Sequence, residues 1–438
     1  MTKGYLPRKL AWKILLKVNR GIYSDHALNM VLRNFNLTPL DIAFITELSY
    51  GCIRYKKFLD VWIDHVSKLP HQKQPPKLRS LLHIGLYQLL KMDKIPHSAS
   101  ISTTVEIAKR TDLKGLAGAV NAILRKASLK IETKKIPDLP GDQIEKISYL
   151  NSLPTWLVKD MVNWLGYDHA VNIAKSFNKK PSIDLRINSL KGDMNLLLEE
   201  LKKDNIIAIP IKELINGIEL KSKPRTIKNI PGYKEGKWVI QDRSSQWIAP
   251  LLNPKKGDKI LDACAAPGIK TTHIAELTND QSEIWAIDRS KKRLEILKEN
   301  LNRLDIKSVK TFQADSTKLI SYKPEFLNYF DKILIDAPCS GIGTFSRNPD
   351  ARWSLDKDKI DQLIILQEEL LESNLPLLKF KGRLVYSTCT ICPRENSLLI
   401  KKFLDKNRNL YLISEKQILP SFENPGDGFY AAIITHKS

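Results

Sequence analysis

A chain of 438 residues, 42% of them hydrophobic, is long enough for two or three domains with cores of their own. Seventy Lys and Arg against 48 Asp and Glu give a formal charge of +22, which suits a polyanionic partner, nucleic acid first among them. No run of about 18 apolar residues occurs, so no membrane span is expected, and five scattered cysteines argue against a disulfide scaffold and for a reducing cytosol.

The N-terminal stretch MTKGYLPRKLAWKILLKVNRG is basic but lacks an apolar run with a small-residue cleavage site. It reads as an amphipathic helix with Leu10, Ile14, Leu15 and Val18 on one face, rather than as a signal peptide. Residues 1–130 are predicted all-helical, from apolar spacings of three and four in AWKILLKV, DIAFITELSYGCI, LRSLLHIGLYQLL and GAVNAILRKA, with Pro70, Pro75, Pro76 and Pro96 as punctuation. This stretch holds 22 Lys and Arg and 8 Asp and Glu, a net of +14, so most of the excess charge falls in under a third of the chain. A helical bundle so basic suits RNA docking; the plainer reading is a scaffold whose charge aids solubility. Residues 131–230 begin with a polar linker, KIETKKIPDLPGDQ, and continue as a small α+β segment. There PTWLVKDMVNWLG and MNLLLEELKKDN have helical spacing and PSIDLRINSL alternates like a strand.

From 231 to 438 the pattern is strand, turn, helix, repeated. Strands are predicted at KILDA (259–263), EIWAID (283–288), VKTFQ (309–313), DKILID (331–336), GRLVYS (382–387) and GFYAAIIT (428–435). Such alternation argues for a parallel, doubly wound sheet, in which ligands bind at the carboxyl ends of the strands.

The first strand leads into Asp262-Ala-Cys-Ala-Ala-Pro-Gly-Ile-Lys-Thr-Thr272 and a helix. Small residues and a glycine let backbone approach a ligand at a helix N-terminus. The loop is neither G-x-G-x-x-G nor G-x-x-x-x-G-K-[ST], which argues against a dinucleotide or a Walker-type phosphate cradle. Asp288 ends the second strand, 20 residues past Gly268, where an acid typically grips ribose hydroxyls, and Asp315 follows the third, suited to an adenine amino group. Taken in order these suggest a nucleoside ligand without a pyrophosphate, and S-adenosylmethionine fits; a strand-end Asp can equally cap the next helix.

The fourth strand runs into Asp336-Ala-Pro-Cys339-Ser-Gly-Ile-Gly-Thr344 and the fifth into Ser387-Thr-Cys389. A free cysteine is often only a small buried residue, but two at the ends of successive strands can face one pocket. Beside a methyl donor, a thiolate adding to carbon 6 of a pyrimidine makes carbon 5 enamine-like and able to attack a methyl group. The adduct must then lose its carbon-5 proton and expel the thiolate, and a second thiol can serve as base or relay. Asp336 is placed to bind the ring's N3 edge or the donor. The spacing Cys389-Thr-Ile-Cys392 also fits redox or zinc sites, but zinc needs about four ligands and no second pair or histidine cluster accompanies it, so no metal is expected.

LDACAAPGIKT, IDRS, DAPCSGIGTFSRNPDARW, YSTCTICPREN and DGFYAA closely resemble the RNA cytosine carbon-5 methyltransferases of the Sun/Fmu (RsmB) type. The helical segment with GLAGAVNAILR (115–125) resembles the NusB-like RNA-binding domain of bacterial small-subunit rRNA members. PSIDLRINSLK (181–191) and VIQDRSSQ (239–246) are similar to the family's linking region. The resemblance implies a multi-domain protein: a NusB-like all-α bundle (1–130), a small α+β linking domain (131–230) and a Rossmann-like class I methyltransferase domain (231–438). It implies Cys389 as nucleophile on cytosine and Cys339 in product release. It implies an S-adenosylmethionine site of Cys264, Ala265, Ala266, Pro267, Gly268, Ile269, Lys270, Asp288, Asp315 and Asp336. The implied partner is 16S rRNA or a small-subunit assembly intermediate. The same chemistry on tRNA or 23S rRNA, or a non-catalytic NusB-like antitermination factor, are the alternatives. Two departures stand out. The family usually has a second glycine where this chain has Ile269, which would be strained if that position needs positive φ. Cys392 occupies a position where the family commonly has no cysteine, and is expected to be a bystander.

Overall fold

The computed structural model describes residues 4–222, 227–421, 423 and 425–437. Contacts divide the chain into two compact units, Met1–Lys179 with Phe345–Ser354, and Lys180–Thr344 with Leu355–Ser438.

The first unit is helical. Among its described residues ten α-helices run in sequence from Tyr5–Val18 to Tyr167–Ser176. Their boundaries follow local chemistry. Thr38 caps the helix Pro39–Arg54 by accepting from the Asp41 amide, with proline in the first turn, and Asp142 and Glu145 form a reciprocal capping box at Gln143–Asn151. The apolar faces read in the sequence are the buried ones: Leu10, Ile14 and Leu15 of the first helix pack with Leu48, Leu82, Leu86, Val120 and Leu124 in one core, with Val18 against its edge.

The second unit holds two sheets. The smaller has four strands, β1 (Ile183–Ile187), β2 (Ala208–Pro210), β3 (Gly217–Leu220) and β4 (Trp238–Ile240), antiparallel in the order β2-β3-β1-β4. Leu197 and Leu201 of the helix Met194–Lys203 share its core with Leu185, Ile187, Ile218 and Trp238. The larger has β5 (Lys259–Asp262), β6 (Glu283–Asp288), β7 (Val309–Gln313), β8 (Phe330–Asp336), β9 (Leu378–Thr388), β10 (Leu410–Ile418) and β11 (Phe429–His436). Their order is β10-β11-β9-β8-β5-β6-β7. Strands β5 to β9 pair in parallel, while β11 runs antiparallel to β9 and β10. This is the Rossmann-like methyltransferase arrangement. The chain winds outward from β5 to β7, then returns to place β8 on the other side of β5. The crevice between β5 and β8 is therefore the switch point where such sheets bind ligands.

One segment of the first unit comes from late in the chain. Residues Phe345–Ser354, which include the SRNPDARW part of the family-like motif, pack among the helices of residues 1–179. Arg352 is fully buried and donates to the carbonyls of Arg54, Asn151, Ser152, Phe177 and Phe345, and to Asn178 Oδ1 at 3.0 Å. Asp350 accepts from the Ser24 hydroxyl (2.7 Å) and amide, and Trp353 Nε1 donates to the Ile53 carbonyl at 2.7 Å. With no carboxylate paired to it among the described residues, burial lowers Arg352 to about 9. Replacing it with methionine keeps the volume and leaves those carbonyls without their donor. Arg352→Met should therefore cost the helical unit about 1–3 kcal/mol from buried acceptors left unpaired, and Arg352→Lys should recover only part because an ammonium cannot fork to so many acceptors. Calorimetric unfolding checks this; a loss under about 1 kcal/mol would mean that the network contributes little net stability.

Candidate active site

The site is built at the carboxyl ends of β5, β6, β7, β8 and β9. After β5 the chain turns through Ala263–Gly268 into the helix Ile269–Leu277. Gly268 takes the left-handed conformation (φ +96°), and a Cβ there would come within 2.6 Å of Leu297, so only glycine fits. Ile269 opens the helix in ordinary helical geometry, packed against the apolar core. The strain expected from an isoleucine at this place does not arise, because Gly268 alone carries the positive φ. The helix is braced from β1: Arg186 donates to Glu276 Oε1 (2.7 Å), Thr272 Oγ1 and the Ile269 carbonyl, with arginine and glutamate each 1% exposed. Sequence reading singled out neither member of this pair, which becomes visible only when β1 is set against the helix.

Asp288, at the end of β6, accepts from the amides of Ala266 (3.3 Å) and Ser290 (2.8 Å) and pairs with Arg293. Asp315 caps its own turn through the Thr317 amide and hydroxyl, the structural role its position allowed. A cavity lies here, lined by Cys264, Asp288 and Asp315 of the expected residues, and also by Arg289, Arg293, Pro338, Leu366 and Leu370. The lining combines two carboxylates, two guanidiniums and apolar side chains, and the carboxylates suit the hydroxyls and amine of a nucleoside. Leu366 and Leu370 belong to the helix Lys357–Asn374, far from any motif, and carried no signal in the sequence. Ala265 to Lys270 shape the turn rather than line the cavity.

Lys270 and Asp336 form an ion pair at 2.6 Å, and the Ser387 hydroxyl donates to the other Asp336 oxygen at 2.8 Å. Burial opposes the charge on Lys270, but Asp336, and beyond it Cys389, more than offsets this and holds it above the ordinary lysine value. Asp262 accepts from Thr271 (2.7 Å), while its other oxygen has no partner among the described residues. Burial, helped by Asp336, raises it to about 7.

Strands β8 and β9 pair in parallel with Asp336 opposite Ser387. The chains beyond them carry Cys339 and Cys389 to a sulfur–sulfur distance of 3.4 Å, as free thiols in hydrogen-bond contact. That hydrogen bond, then burial, raises the Cys339 thiol far above its ordinary range, so it stays protonated. Gly343 donates to the Cys389 carbonyl (3.1 Å), and a Cβ on it would meet the Gly428 carbonyl at 2.2 Å. The Cys264 thiol is raised by burial and the surrounding carboxylates. Cys392 is 1% exposed and pushed up to about 12 by burial. Among the described residues no group of three His, Cys, Asp or Glu is arranged to hold a metal ion, and no helix is long and apolar enough to cross a membrane.

Three family models match the chain: the 16S rRNA methyltransferase RsmB/F model over residues 249–437, the NusB family over 6–128, and the RsmF/B-like ferredoxin-like domain over 153–226. The "Probable ribosomal RNA small subunit methyltransferase B" of Synechocystis sp. is 41% identical over 92% of this chain and 90% of its own. The ribosomal RNA small subunit methyltransferase B of Proteus mirabilis is 33% identical over the full length of both. Among solved structures, a methyltransferase homolog protein from Pyrococcus horikoshii is 28% identical, with a TM-score of 0.60 over 68% of this chain and all of its own.

The buried Asp262 carries a pH prediction. Its folded value of about 7 lies above the ordinary 3.8, so between these the folded chain binds a proton that the unfolded chain has lost. Its contribution to stability is thus complete below about pH 4 and is lost as pH rises through about 7. Asp262→Asn keeps an acceptor for Thr271 without ionising. Its melting temperature should fall less than the wild type's between about pH 5 and 8; parallel curves would show that Asp262 does not titrate there.

Proposed function

The chain belongs to the RsmB/F family of 16S rRNA methyltransferases, and we propose that it methylates carbon 5 of a cytosine in small-subunit rRNA, with Cys389 as nucleophile and Cys339 assisting release. The family's donor is S-adenosylmethionine, which supplies an electrophilic methyl group. In the cavity Asp288 would take the ribose hydroxyls and Asp315 the adenine edge, between the apolar walls of Leu366 and Leu370. Cys264 to Lys270 would form the backbone turn under it, and Asp336 would hold Lys270 in place.

The observation that carries the reading is the 3.4 Å approach of two thiols from the ends of adjacent parallel strands, with Pro338, the neighbour of Cys339, lining the donor cavity. The Cys389 sulfur adds to carbon 6 of the cytosine, and the electrons of the carbon 5–carbon 6 double bond become available at carbon 5. Once carbon 5 is methylated it loses its proton, the double bond re-forms, and Cys389 leaves with the electron pair of the carbon–sulfur bond. Cys339 lies within reach of that sulfur and acts as a relay: its thiol passes its own proton to the departing Cys389 as it takes up the carbon-5 proton.

The basic segment supplies the RNA contact. Its net charge of +14 over residues 1–130 coincides with the NusB family match at 6–128, and such charge serves phosphate binding. The curated relatives at 33–41% identity are named for the small ribosomal subunit, which favours 16S rRNA or its assembly intermediate over tRNA or 23S rRNA.

The test uses the mechanism. Cys339→Ala, mixed with 16S rRNA and S-adenosylmethionine, should accumulate a protein–RNA adduct that survives a denaturing gel. Adding Cys389→Ala should abolish the adduct and reduce methylation to the no-enzyme level, and adding Cys392→Ala should leave the adduct unchanged. An adduct formed on tRNA or 23S rRNA but not on 16S rRNA would reassign the substrate; an adduct that survives Cys389→Ala would reassign the nucleophile.

A further inference from the structure

The residue after each thiol bears a hydroxyl, and these two hydroxyls meet. Ser340 Oγ lies 2.7 Å from Thr390 Oγ1, and both residues are buried. Behind them sit two consecutive side chains at the start of the helix Ser397–Lys406, Glu395 and Asn396, each no more than 1% exposed. Glu395 takes the Cys339 side: its carboxylate accepts from the Ser340 amide (2.8 Å) and hydroxyl, and from Gln367 Nε2, which also holds the Pro338 carbonyl at 2.8 Å. Asn396 takes the Cys389 side: it accepts from the Thr388 hydroxyl (2.6 Å) and donates to the Thr390 carbonyl (3.0 Å), one bond on each flank of the cysteine. The Tyr386 hydroxyl, from β9, donates to the Glu395 carbonyl at 2.8 Å and fixes the bracket to the sheet.

A buried carboxylate without a cationic partner is costly to keep unless it is fully hydrogen-bonded. Glu395 makes two of its bonds to Ser340, the residue after Cys339, and reaches Gln367 and Thr390 as well, while Asn396 brackets Cys389 on both flanks. We propose that Glu395 is a positioning residue that holds Cys339 at its working distance from Cys389, so that its loss slows release of the methylated base more than formation of the adduct. Release is the step that needs both sulfurs at once: Cys389 leaves with the carbon–sulfur pair and takes the Cys339 thiol's proton, while Cys339 takes up the carbon-5 proton. Adduct formation needs Cys389 alone, and Asn396 still brackets that loop when Glu395 is replaced. The proposal rests on the roles given above to the two cysteines.

The experiment follows adduct and turnover in full-length protein with both cysteines present. Glu395→Gln keeps the shape and one acceptor but loses the charge; Ser340→Ala removes the shared hydroxyl. Each should trap adduct on 16S rRNA at least about tenfold above wild type, with multiple turnover lowered in proportion and KM for the donor unchanged. In a Cys339→Ala background neither should slow release further, because the group it positions is gone. Should the glutamate variant fail to fold, the serine variant reads the same contact. Wild-type turnover in both variants, or an added slowing of release in the Cys339→Ala background, overturns the proposal. Absence of adduct from Cys339→Ala alone would instead sink the covalent reading beneath it, so the two failures are distinguishable.

Discussion

The 3.4 Å approach of Cys339 to Cys389 depends on the pairing of β8 with β9. Parallel neighbours end at the same edge of a sheet, and the register that sets Asp336 opposite Ser387 makes the chains beyond them emerge level. A two-residue shift would carry one thiol roughly 7 Å along the strand and break the contact. The register is specified by burial: Ile333, Leu334 and Ile335 of β8 and Leu384, Val385 and Tyr386 of β9 are fully buried, with apolar groups on both faces of the sheet. The same pairing brings Ser387 to Asp336, and thereby steadies the carboxylate that holds Lys270.

The donor side is held by a separate constraint. The helix after β5 is tied to the small sheet by the buried Arg186–Glu276 pair, and the turn before it is tied to β6 by the Ala266–Asp288 hydrogen bond. The turn is thus held from both sides by buried polar contacts, which is how a site avoids carrying its own reorganisation cost. The small sheet is therefore structural support for the donor turn, whatever else it binds.

Much of this was legible in sequence because parallel strands buried on both faces are short continuous apolar runs. KILDA, EIWAID, DKILID and GRLVYS fall on such strands and VKTFQ on the half-exposed edge strand β7, and the cysteines and carboxylates follow them in the expected order. β10 was not legible: most of Leu410–Ile418 is exposed, so its residues show no apolar alternation. β2, β3 and β4, at three or four residues each, are too short to show a period. Long-range polar partners were silent for a different reason. Arg186 with Glu276, Arg352 with its carbonyls, and Glu395 with Ser340 are each 55 or more residues apart in at least one bond, and no local pattern announces such a pairing. Whether Ile269 would be strained depended on the backbone conformation at its position, which sequence does not give; Gly268 carries the positive φ and Ile269 does not.

The central claim is chemical: carbon 5 of a cytosine is the atom methylated. Methylation there must expel the hydrogen already on that carbon, whereas methylation of an exocyclic amine or a ribose hydroxyl leaves it in place. The direct measurement is therefore tritium release from 16S rRNA carrying tritium at carbon 5 of its cytosines, set against methyl incorporation from S-adenosylmethionine. The account predicts release of tritium to solvent in step with methyl transfer. Methyl incorporation with tritium retained would contradict it.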